Sequence, residues 1–468
     1  MSLAETLPLW MFAALAVFLF SGFPVAFVLG GLALAFGTIG IAAGEFTFVQ
    51  FYNIVPRIWG GIAENLILVA IPMFIFMGTM LERSGIAGAL LRCLERLLAS
   101  VPGGLALAVT FMGTIMAATT GIIGASVVMI TLLALPPMLR ARYDPGFAAG
   151  TVAASGTLGI LIPPSIMLVV MAEMLNRSVG TLFFAALMPG LMLAAFYAIF
   201  VMLRATLRPE LAPKPDPALI DAETGSVSLV WLVAAGLVPT AALIALVLGS
   251  ILAGWASPTE AAGVGAFGAT ILALFLPPLI DRRPIGQWLG QFPVLLRDVA
   301  ERSALTGGML FGIFVGATAF SLVFRSLGGD DAVDQLIEGT GLGPWGLLAL
   351  LMLVVFLLGF FFDWIEITLI VLPIFVPILE GLDFGDHVAR TDLLYWFAIL
   401  MAINLQTSFL TPPFGFALFY VKGAAPPELP MQAIWRGSVP FVFLQLAALG
   451  LVAAFPDIAL WLPKAYLS

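Results

Sequence analysis

Long uncharged stretches separated by short polar ones make up most of this chain. A bilayer core of about 30 Å is crossed by a helix of about 20 apolar residues, and many of these stretches approach or exceed that length. The continuous apolar segments lie at 7–20, 24–43, 66–81, 182–203, 228–252, 259–280, 304–325 and 437–455. The alternation of apolar and polar residues expected of lipid-facing barrel strands does not occur. The pattern therefore predicts an all-α, polytopic membrane protein.

Four further apolar regions are interrupted near their middle. Two of them, 104–139 and 344–380, read as pairs of helical arms that meet at the neutral turn 119–126 and at Asp363–Glu366. A Gly-rich neutral turn favours a re-entrant hairpin over two full crossings, since a turn in water would usually carry charge. The other two, the spans 146–174 and 395–422, are each broken by a Pro-Pro pair, which begins at Pro163 in the first span and at Pro412 in the second.

The two halves of the chain follow the same plan. A Pro-rich, charged linker at 204–227 separates residues 1–203 from residues 228–468, and each half contains a hairpin followed by an interrupted span. The prolines of the hairpins and of the interrupted spans keep similar spacing in both halves. In the first half, 81–100 places arginines among leucines at helical spacing, which fits either an amphipathic helix at the membrane interface or a connecting helix packed on the protein.

Basic residues orient this plan across the membrane. If each hairpin starts and ends on one side, the loops at 82–103, 140–145, 204–227 and 281–303 share a face, and they carry most of the arginines. That face is expected to be cytoplasmic and the N-terminus periplasmic. The two halves are then inverted relative to each other. Inverted repeats with discontinuous spans indicate a secondary transporter more than a channel.

Composition agrees with this class and excludes others. Hydrophobic residues make up 62% of the chain and charged residues 10%, with a mean hydropathy of +1.12 and a net charge of −8. No basic patch suggests nucleic acid, so partners are expected in or beside the lipid membrane. The single cysteine, Cys93, excludes an internal disulfide. No nucleotide-binding loop or hydrolase signature supports an enzyme.

The candidate chemistry lies at the interruptions, where prolines release main-chain groups from helical pairing. In the first half, hydroxyl and carbonyl oxygens are expected at Gly156, Thr157, Gly159 and Pro163, facing Gly124, Ala125 and Ser126 of the hairpin. In the second half they are expected at Gln406, Thr407, Ser408, Thr411 and Pro412, facing Glu366 and Thr368. Oxygen ligands suit hard cations such as Na⁺. The alternative is that the hydroxyls bond only to their own helices.

A few ionisable residues lie within the apolar regions, at the ends of spans or in loops, and each has an expected environment. Asp363 and Glu366 would be costly at mid-membrane unless paired or facing a water-filled cavity, and would be ordinary loop acids if both arms cross. Glu173 and Arg325, near the ends of spans, are expected to be interfacial anchors. His387 lies in a loop and is expected to face solvent.

The sequence also resembles a known family over nearly its whole length, in matching order. The segments that carry the likeness are AIPMFIFMGTMLERSGIA at 70–87, GTLGILIPPSIMLVV at 156–170, WASPTEAAGVGA at 255–266 and LQTSFLTPPFGFALFYVKG at 405–423. They resemble the large membrane subunit of TRAP transporters, the tripartite ATP-independent periplasmic family.

The resemblance implies a secondary active importer in a bacterial inner membrane, with a transport domain that slides as an elevator against a scaffold. It implies organic acid uptake coupled to Na⁺, with a small four-helix membrane subunit and a periplasmic substrate-binding protein as partners. Carried onto this sequence, one Na⁺ site falls at Ser126, Gly156, Gly159 and Pro163, and the other at Thr368, Thr407 and Thr411. Candidate solute contacts are Gly124, Ala125, Thr157, Glu366, Gln406, Ser408 and Pro412.

Two other functions fit the same sequence. One is a self-sufficient Na⁺- or H⁺-coupled carrier of carboxylates or drugs with a related inverted-repeat fold, which would transport without a soluble partner. The other is a structural or signalling membrane subunit with no transport of its own. The resemblance also implies that specificity for the solute is shared with the binding protein.

Overall fold

A computed structural model describes residues 3–120, 123–214, 228–280 and 284–467, and in these ranges every regular element is a helix. The helices are α1 Leu3–Leu19, α2 Val25–Ala43, α3 Phe48–Tyr52, α4 Ile54–Ile58, α5 Ala70–Arg83, α6 Ile86–Leu97, α7 Gly104–Thr120, α8 Ile123–Arg140, α9 Pro145–Thr157, α10 Ile166–Met174, α11 Val179–Leu207, α12 Leu229–Leu252, α13 Pro258–Ile280, α14 Ile285–Ser326, α15 Gly329–Thr340, α16 Pro344–Leu358, α17 Trp364–Glu380, α18 Leu393–Leu410, α19 Phe416–Ala424, α20 Met431–Ala454 and α21 Asp457–Leu467.

Nine helical segments within the described ranges are long and apolar enough to cross a membrane. They are α2, the segment Leu66–Arg83 that ends with α5, α8, α11, α12, α13, α14, α18 and α20. The prediction of a multi-pass, all-α membrane protein is confirmed. Most of the predicted linker 204–227 and two residues of the first hairpin turn, 121 and 122, lie outside the described residues.

Both interrupted spans are present. Helix α9 ends at Thr157 and is followed by a 3-10 turn, Leu158–Ile160, and an irregular stretch before α10 begins at Ile166. Helix α18 ends at Leu410, and α19 starts only at Phe416. Each break contains a cis Pro–Pro peptide bond, at Pro163–Pro164 and at Pro412–Pro413. Proline nitrogens carry no hydrogen, so each Pro–Pro pair removes two helical hydrogen bonds at its break.

The interrupted spans occupy the core of the protein. Every residue of α18 except the half-buried Tyr395 is buried, as is every residue of α9 after Pro145. Helix α9 packs on both hairpin arms α7 and α8, and α18 packs on both arms α16 and α17. The second helix of each broken span crosses to the other half, so that α10 contacts α17 and α19 contacts α8.

The helix α14 connects this core with the other helices. It is 42 residues long and packs on α2, α4 and α5 as well as on the hairpin arm α17. Its last turn carries Arg325, which was expected to be an interfacial anchor. In the structure, Arg325 Nη2 donates to the carbonyl oxygen of Pro373 at 2.6 Å and its Nε lies 3.7 Å from Asp330. The carbonyl of Pro373 lacks its usual helical donor because residue 377 is also proline.

Two other local expectations can be compared with the structure. His387 was expected to face solvent, but it is half-buried and contacts other residues. Its Nε2 lies 2.9 Å from the Ala453 carbonyl oxygen, and its ring packs against Trp345 and Trp396. Within 81–100, helix α6 begins after Gly85 and buries one face against α7 and α12. This favours the interpretation of a connecting helix packed on the protein.

Candidate ion and solute site

The first candidate cluster forms where α9 passes hairpin arm α8. A Cβ atom added to Gly156 would lie only 2.5 Å from Cγ2 of Val127 and 3.0 Å from its Cα. Glycine therefore allows the end of α9 to approach the backbone of α8 directly beside Ser126. The predicted contact between Gly156 and the hairpin residue Ser126 is consistent with this close approach.

The break itself leaves carbonyl oxygens for another partner. Pro163 and Pro164 cannot donate, so the carbonyls of Gly159 and Ile160, four residues earlier, lose their helical donors. The hydroxyl of Ser165 donates to the Ile160 carbonyl at 2.9 Å. Among the described residues, no hydrogen-bond donor reaches the Gly159 carbonyl. A fully buried carbonyl oxygen without a donor can serve a cation.

A buried polar network holds the end of α9 in place. The hydroxyl of Thr157 donates to the Ala154 carbonyl at 2.8 Å and also lies in hydrogen-bond contact with Tyr197 of α11. The Tyr197 hydroxyl accepts from Gln445 Nε2 of α20 at 2.8 Å. Thr157 is therefore committed to a network between helices, which favours a role in positioning the break over direct contact with solute.

The second candidate cluster presents three hydroxyl groups at the end of α18. Thr407 donates to the Ile403 carbonyl at 2.9 Å, Ser408 to the Leu405 carbonyl at 2.8 Å and Thr411 to the Thr407 carbonyl at 2.7 Å. The alternative that these hydroxyls bond to their own helix is thus correct for their hydrogens. Their oxygen lone pairs still face outward from these bonds and can coordinate a cation.

Gln406 lies in the middle of this cluster. Its side chain is fully buried, and neither its amide nitrogen nor its amide oxygen has a hydrogen-bond partner. Burying such a group without a partner costs about 1–3 kcal/mol. A bound ion or solute would remove that cost, so Gln406 is the residue at this break that points most directly to a ligand.

The second hairpin lies against the same break. A Cβ atom on Gly359, at the end of α16, would fall 2.0 Å from Oγ of Ser408. On α17, Thr368 is fully buried and donates to the Trp364 carbonyl at 2.6 Å. Helix α17 packs on α18, but no hydrogen bond joins Thr368 to Thr407 or Thr411 among the described residues.

The two acidic residues begin helix α17. Asp363 is its N-cap and accepts from the Trp364 amide at 2.8 Å. Glu366 is 8% exposed, and its Oε2 atom has no hydrogen-bond partner. Glu366 is also the one ionisable residue that lines a cavity of about 980 Å³ between α2 and α14, whose other lining side chains are apolar. Neither acid is an ordinary loop residue.

Tyr420 of α19 lies against the first hairpin. A Cβ atom on Gly124 would lie 2.9 Å from Cζ of Tyr420, so the tyrosine ring packs directly against the backbone at the start of α8. Tyr420 is also within electrostatic range of Asp363 and Glu366 at the second tip. Tyr420 was not among the predicted site residues, although it lies in the segment 405–423 and carries the one phenolic hydroxyl there.

A cavity with charged walls adjoins the first tip. It measures about 770 Å³ and is lined by Gly124 and Ala125 of α8, by Tyr420, and by the charged side chains Glu82, Arg83 and Arg302. Gly124 and Ala125 were predicted solute contacts, and they do line a cavity. By contrast Gln406 and Ser408 are fully buried, and Pro412 is half-buried at the break.

No group of three or more His, Cys, Asp or Glu side chains in the described ranges could hold a metal ion. A cation at either break would therefore depend on carbonyl, hydroxyl and amide oxygens. The free Gly159 carbonyl and the hydroxyls of Thr407 and Thr411 are of that kind. Such neutral oxygen ligands suit a hard cation better than a metal that prefers nitrogen or sulfur ligands.

Comparison with known proteins shows that this chain is similar to membrane subunits of transporters. The family described as "Tripartite ATP-independent periplasmic transporter, DctM component" matches residues 12–458. The C4-dicarboxylate TRAP transporter large permease protein DctM of Pseudomonas aeruginosa is 30% identical over 403 residues, covering 86% of this chain and 87% of that protein. The sialic acid TRAP transporter large permease protein SiaM of Vibrio cholerae is 27% identical, covering 96% of each.

A solved structure shares the fold. The YdaH transporter of Alcanivorax borkumensis superposes with a TM-score of 0.56 at 16% sequence identity, covering 89% of this chain and 88% of that one. This agrees with the helical, multi-pass architecture. From the family match along most of its length, the chain belongs to the DctM component family of tripartite ATP-independent periplasmic transporters, as a large membrane subunit.

Proposed function

We propose that this protein is the large permease subunit of a Na⁺-coupled importer of organic acids in a bacterial inner membrane, supplied by a periplasmic binding protein. The observation that carries the proposal is the pair of broken, buried spans, each with oxygen atoms that lack a partner. Gly159 offers a free carbonyl at one break, and Gln406 an unpaired amide at the other. Such breaks near the middle of the bilayer are where secondary transporters bind ions and solutes.

The carboxylate class of the solute is supported by relatives and by charge. The Pseudomonas aeruginosa and Vibrio cholerae relatives are named for C4-dicarboxylates and sialic acid, which are both carboxylates. The cavity beside the first hairpin tip contains Arg83 and Arg302. Guanidinium groups bind carboxylates through paired N–H donors.

An inverted repeat with an elevator motion would account for the packing. Helix α10 of the first half packs on hairpin arm α17 of the second, and α19 of the second half packs on arm α8 of the first. This exchange is the contact pattern expected when two halves are related by an axis in the membrane plane. In this proposal the hairpins and broken spans move together as a transport domain, while α2, α5 and α13 belong to the scaffold.

Na⁺ would act as the coupling ion by its effect on the breaks. Binding at the oxygen clusters would order the ends of α9 and α18 against their hairpins and offset the charge of an anionic solute. The small four-helix subunit would support the scaffold, and the soluble protein would deliver solute to the outer face.

Reconstitution tests this function. Proteoliposomes containing this chain and its small subunit are expected to accumulate a labelled organic acid only when the binding protein is outside and a Na⁺ gradient is imposed. A K⁺ gradient of equal size is the control, since it has the same ionic strength. Uptake by this chain alone would contradict the tripartite function and favour a self-sufficient carrier, and absence of uptake with all components and Na⁺ would contradict transport.

A further inference from the structure

We propose that Arg83 and Arg302 form an anion-receiving pair that takes the carboxylate of the solute as it leaves the first hairpin tip. The inference rests on the proposed function, and it assigns two residues outside both broken spans. They lie on the face that the arginine-rich loops predict to be cytoplasmic. The pair would therefore act at the release step.

Arg83 and Arg302 lie on neighbouring helices and face the same cavity. Arg83 is the last residue of α5 and Arg302 lies on α14, and these two helices pack on each other. Both side chains line the cavity of about 770 Å³ that is also lined by Gly124, Ala125 and Tyr420. An anion that passes the hairpin tip into this cavity meets the two guanidinium groups directly.

The present partner of the pair is an internal carboxylate. Arg302 Nε lies 3.1 Å from Asp298 Oδ1 and 3.3 Å from Oδ2, and Arg83 Nε lies 3.7 Å from Asp298 Oδ2. Among the described residues, neither guanidinium donates a hydrogen bond through its terminal nitrogens. Those N–H groups are free to bind a second carboxylate in the paired geometry that arginine favours.

Charge balance in the cavity suits release. Glu82 interacts electrostatically with both arginines, and Asp298 bridges them, so two positive groups face two negative ones. Ion pairs that are this exposed contribute about 0.2–1 kcal/mol each. A solute carboxylate can therefore replace Asp298 at small cost and can leave again, because the cavity has no excess of positive charge.

The opposite end of α14 is different. A pocket there of about 140 Å³ is lined by Arg57, Met174, Thr318, Leu369 and Pro373. From Arg302 to Ser321, α14 rises about 28 Å, close to the thickness of the hydrocarbon core. The cavity beside Arg83 and Arg302 is thus wider than the pocket near the other end of α14.

The test uses exchange from the inside. Proteoliposomes with the small subunit are loaded with graded concentrations of succinate or sialic acid, and efflux is driven by the same solute and binding protein outside. In the variant R83Q/R302Q, the internal concentration for half-maximal efflux is expected to rise about tenfold, since a charged hydrogen bond is lost. The external half-saturation and the Na⁺ dependence should not change. R297Q, on the same helix outside the cavity, is the matched control.

A second variant is expected to change the internal half-saturating concentration in the opposite direction. D298N removes the competing carboxylate and is expected to lower the internal half-saturating concentration and to slow net uptake, since release becomes slower. An unchanged internal half-saturation in both variants, or the same change in R297Q, would overturn the inference. Loss of Na⁺ dependence in the wild type would contradict the proposed function and leave the arginine result to stand separately.

Discussion

At the residue scale, the candidate ion sites depend on hydroxyl groups that donate to their own helix and still present lone pairs. Thr411 is the clearest case, because its hydroxyl donates to the Thr407 carbonyl at 2.7 Å and the residue is half-buried beside Pro412. The residue types were evident from the sequence. The direction of each hydroxyl bond was not, because it depends on where the helix ends.

The first prediction removes one such oxygen. Thr411→Val keeps the shape of the side chain and deletes the hydroxyl, so the Na⁺ concentration that gives half-maximal thermal stabilisation is expected to rise about tenfold. Without Na⁺ its stability should stay within about 1 kcal/mol of wild type. The matched control is Thr151→Val, which removes a similar helical bond of 2.8 Å on α9, away from the break. An unchanged Na⁺ response in Thr411→Val would exclude this hydroxyl as a ligand.

Cys93 supplies both a second prediction and an assay. The side chain is fully buried on α6, and burial raises the pKa of its thiol to about 11. A raised pKa keeps the thiol protonated and unreactive at pH 7–8, and reactivity should increase only as the pH approaches 11 or as the protein unfolds. A thiol-reactive fluorescent maleimide should therefore report unfolding. Rapid labelling of the folded protein at pH 7 would contradict this burial.

At the scale of elements, the sequence predicted the broken spans. It did not predict which side chains bond to the carbonyls that the prolines release. The Pro-Pro pairs and small residues located both interruptions in the sequence. Proline also shows which carbonyl is released, since it is four residues earlier, but not which side chain reaches it. Arg325 bonds to the Pro373 carbonyl, and Trp288 Nε1 bonds to the Leu274 carbonyl released by Pro278. Each donor lies on a different helix from the carbonyl that it reaches, so only the packed structure identifies it.

Other site features were missed for the same reason. Tyr420 gains its place from the crossing of α19 onto α8, which brings it to Gly124. Arg83 and Arg302 are 219 positions apart in the chain numbering and meet only through Asp298. Local patterns describe residues within one helix, whereas these contacts depend on how the two halves pack.

The third prediction concerns the contact between α9 and α20. A Cβ atom on Gly437 would lie 1.8 Å from the Gly146 carbonyl oxygen, so the helix backbones touch at this point. Gly437→Ala is expected to lower the stability by about 1–3 kcal/mol by forcing the helices apart. It should also weaken Na⁺ stabilisation, because α9 ends at the first break.

The same helix contains a control. Gly450 has no atom within 4 Å of an added Cβ, so Gly450→Ala should match or slightly exceed wild-type stability. Thermal unfolding followed through Cys93 compares the two variants. Equal stability of Gly437→Ala and Gly450→Ala would contradict the close backbone contact.

At the scale of the whole molecule, the two broken spans and the two hairpins pack together as one unit. Each half supplies a break, and each break is covered by helices of both halves, through α19 on α8 and α10 on α17. Tyr420 contacts Gly124 of the first hairpin and is within electrostatic range of Glu366 of the second. Binding at one break can therefore influence the other through direct packing.

The most direct measurement is the simultaneous entry of labelled Na⁺ and labelled organic acid into the same proteoliposomes, with the small subunit and the binding protein present. The account predicts that Na⁺ and solute enter in a fixed ratio over a range of Na⁺ gradients, and that Thr411→Val lowers both fluxes together while Thr151→Val does not. Solute entry at the full rate without any accompanying Na⁺ would contradict it.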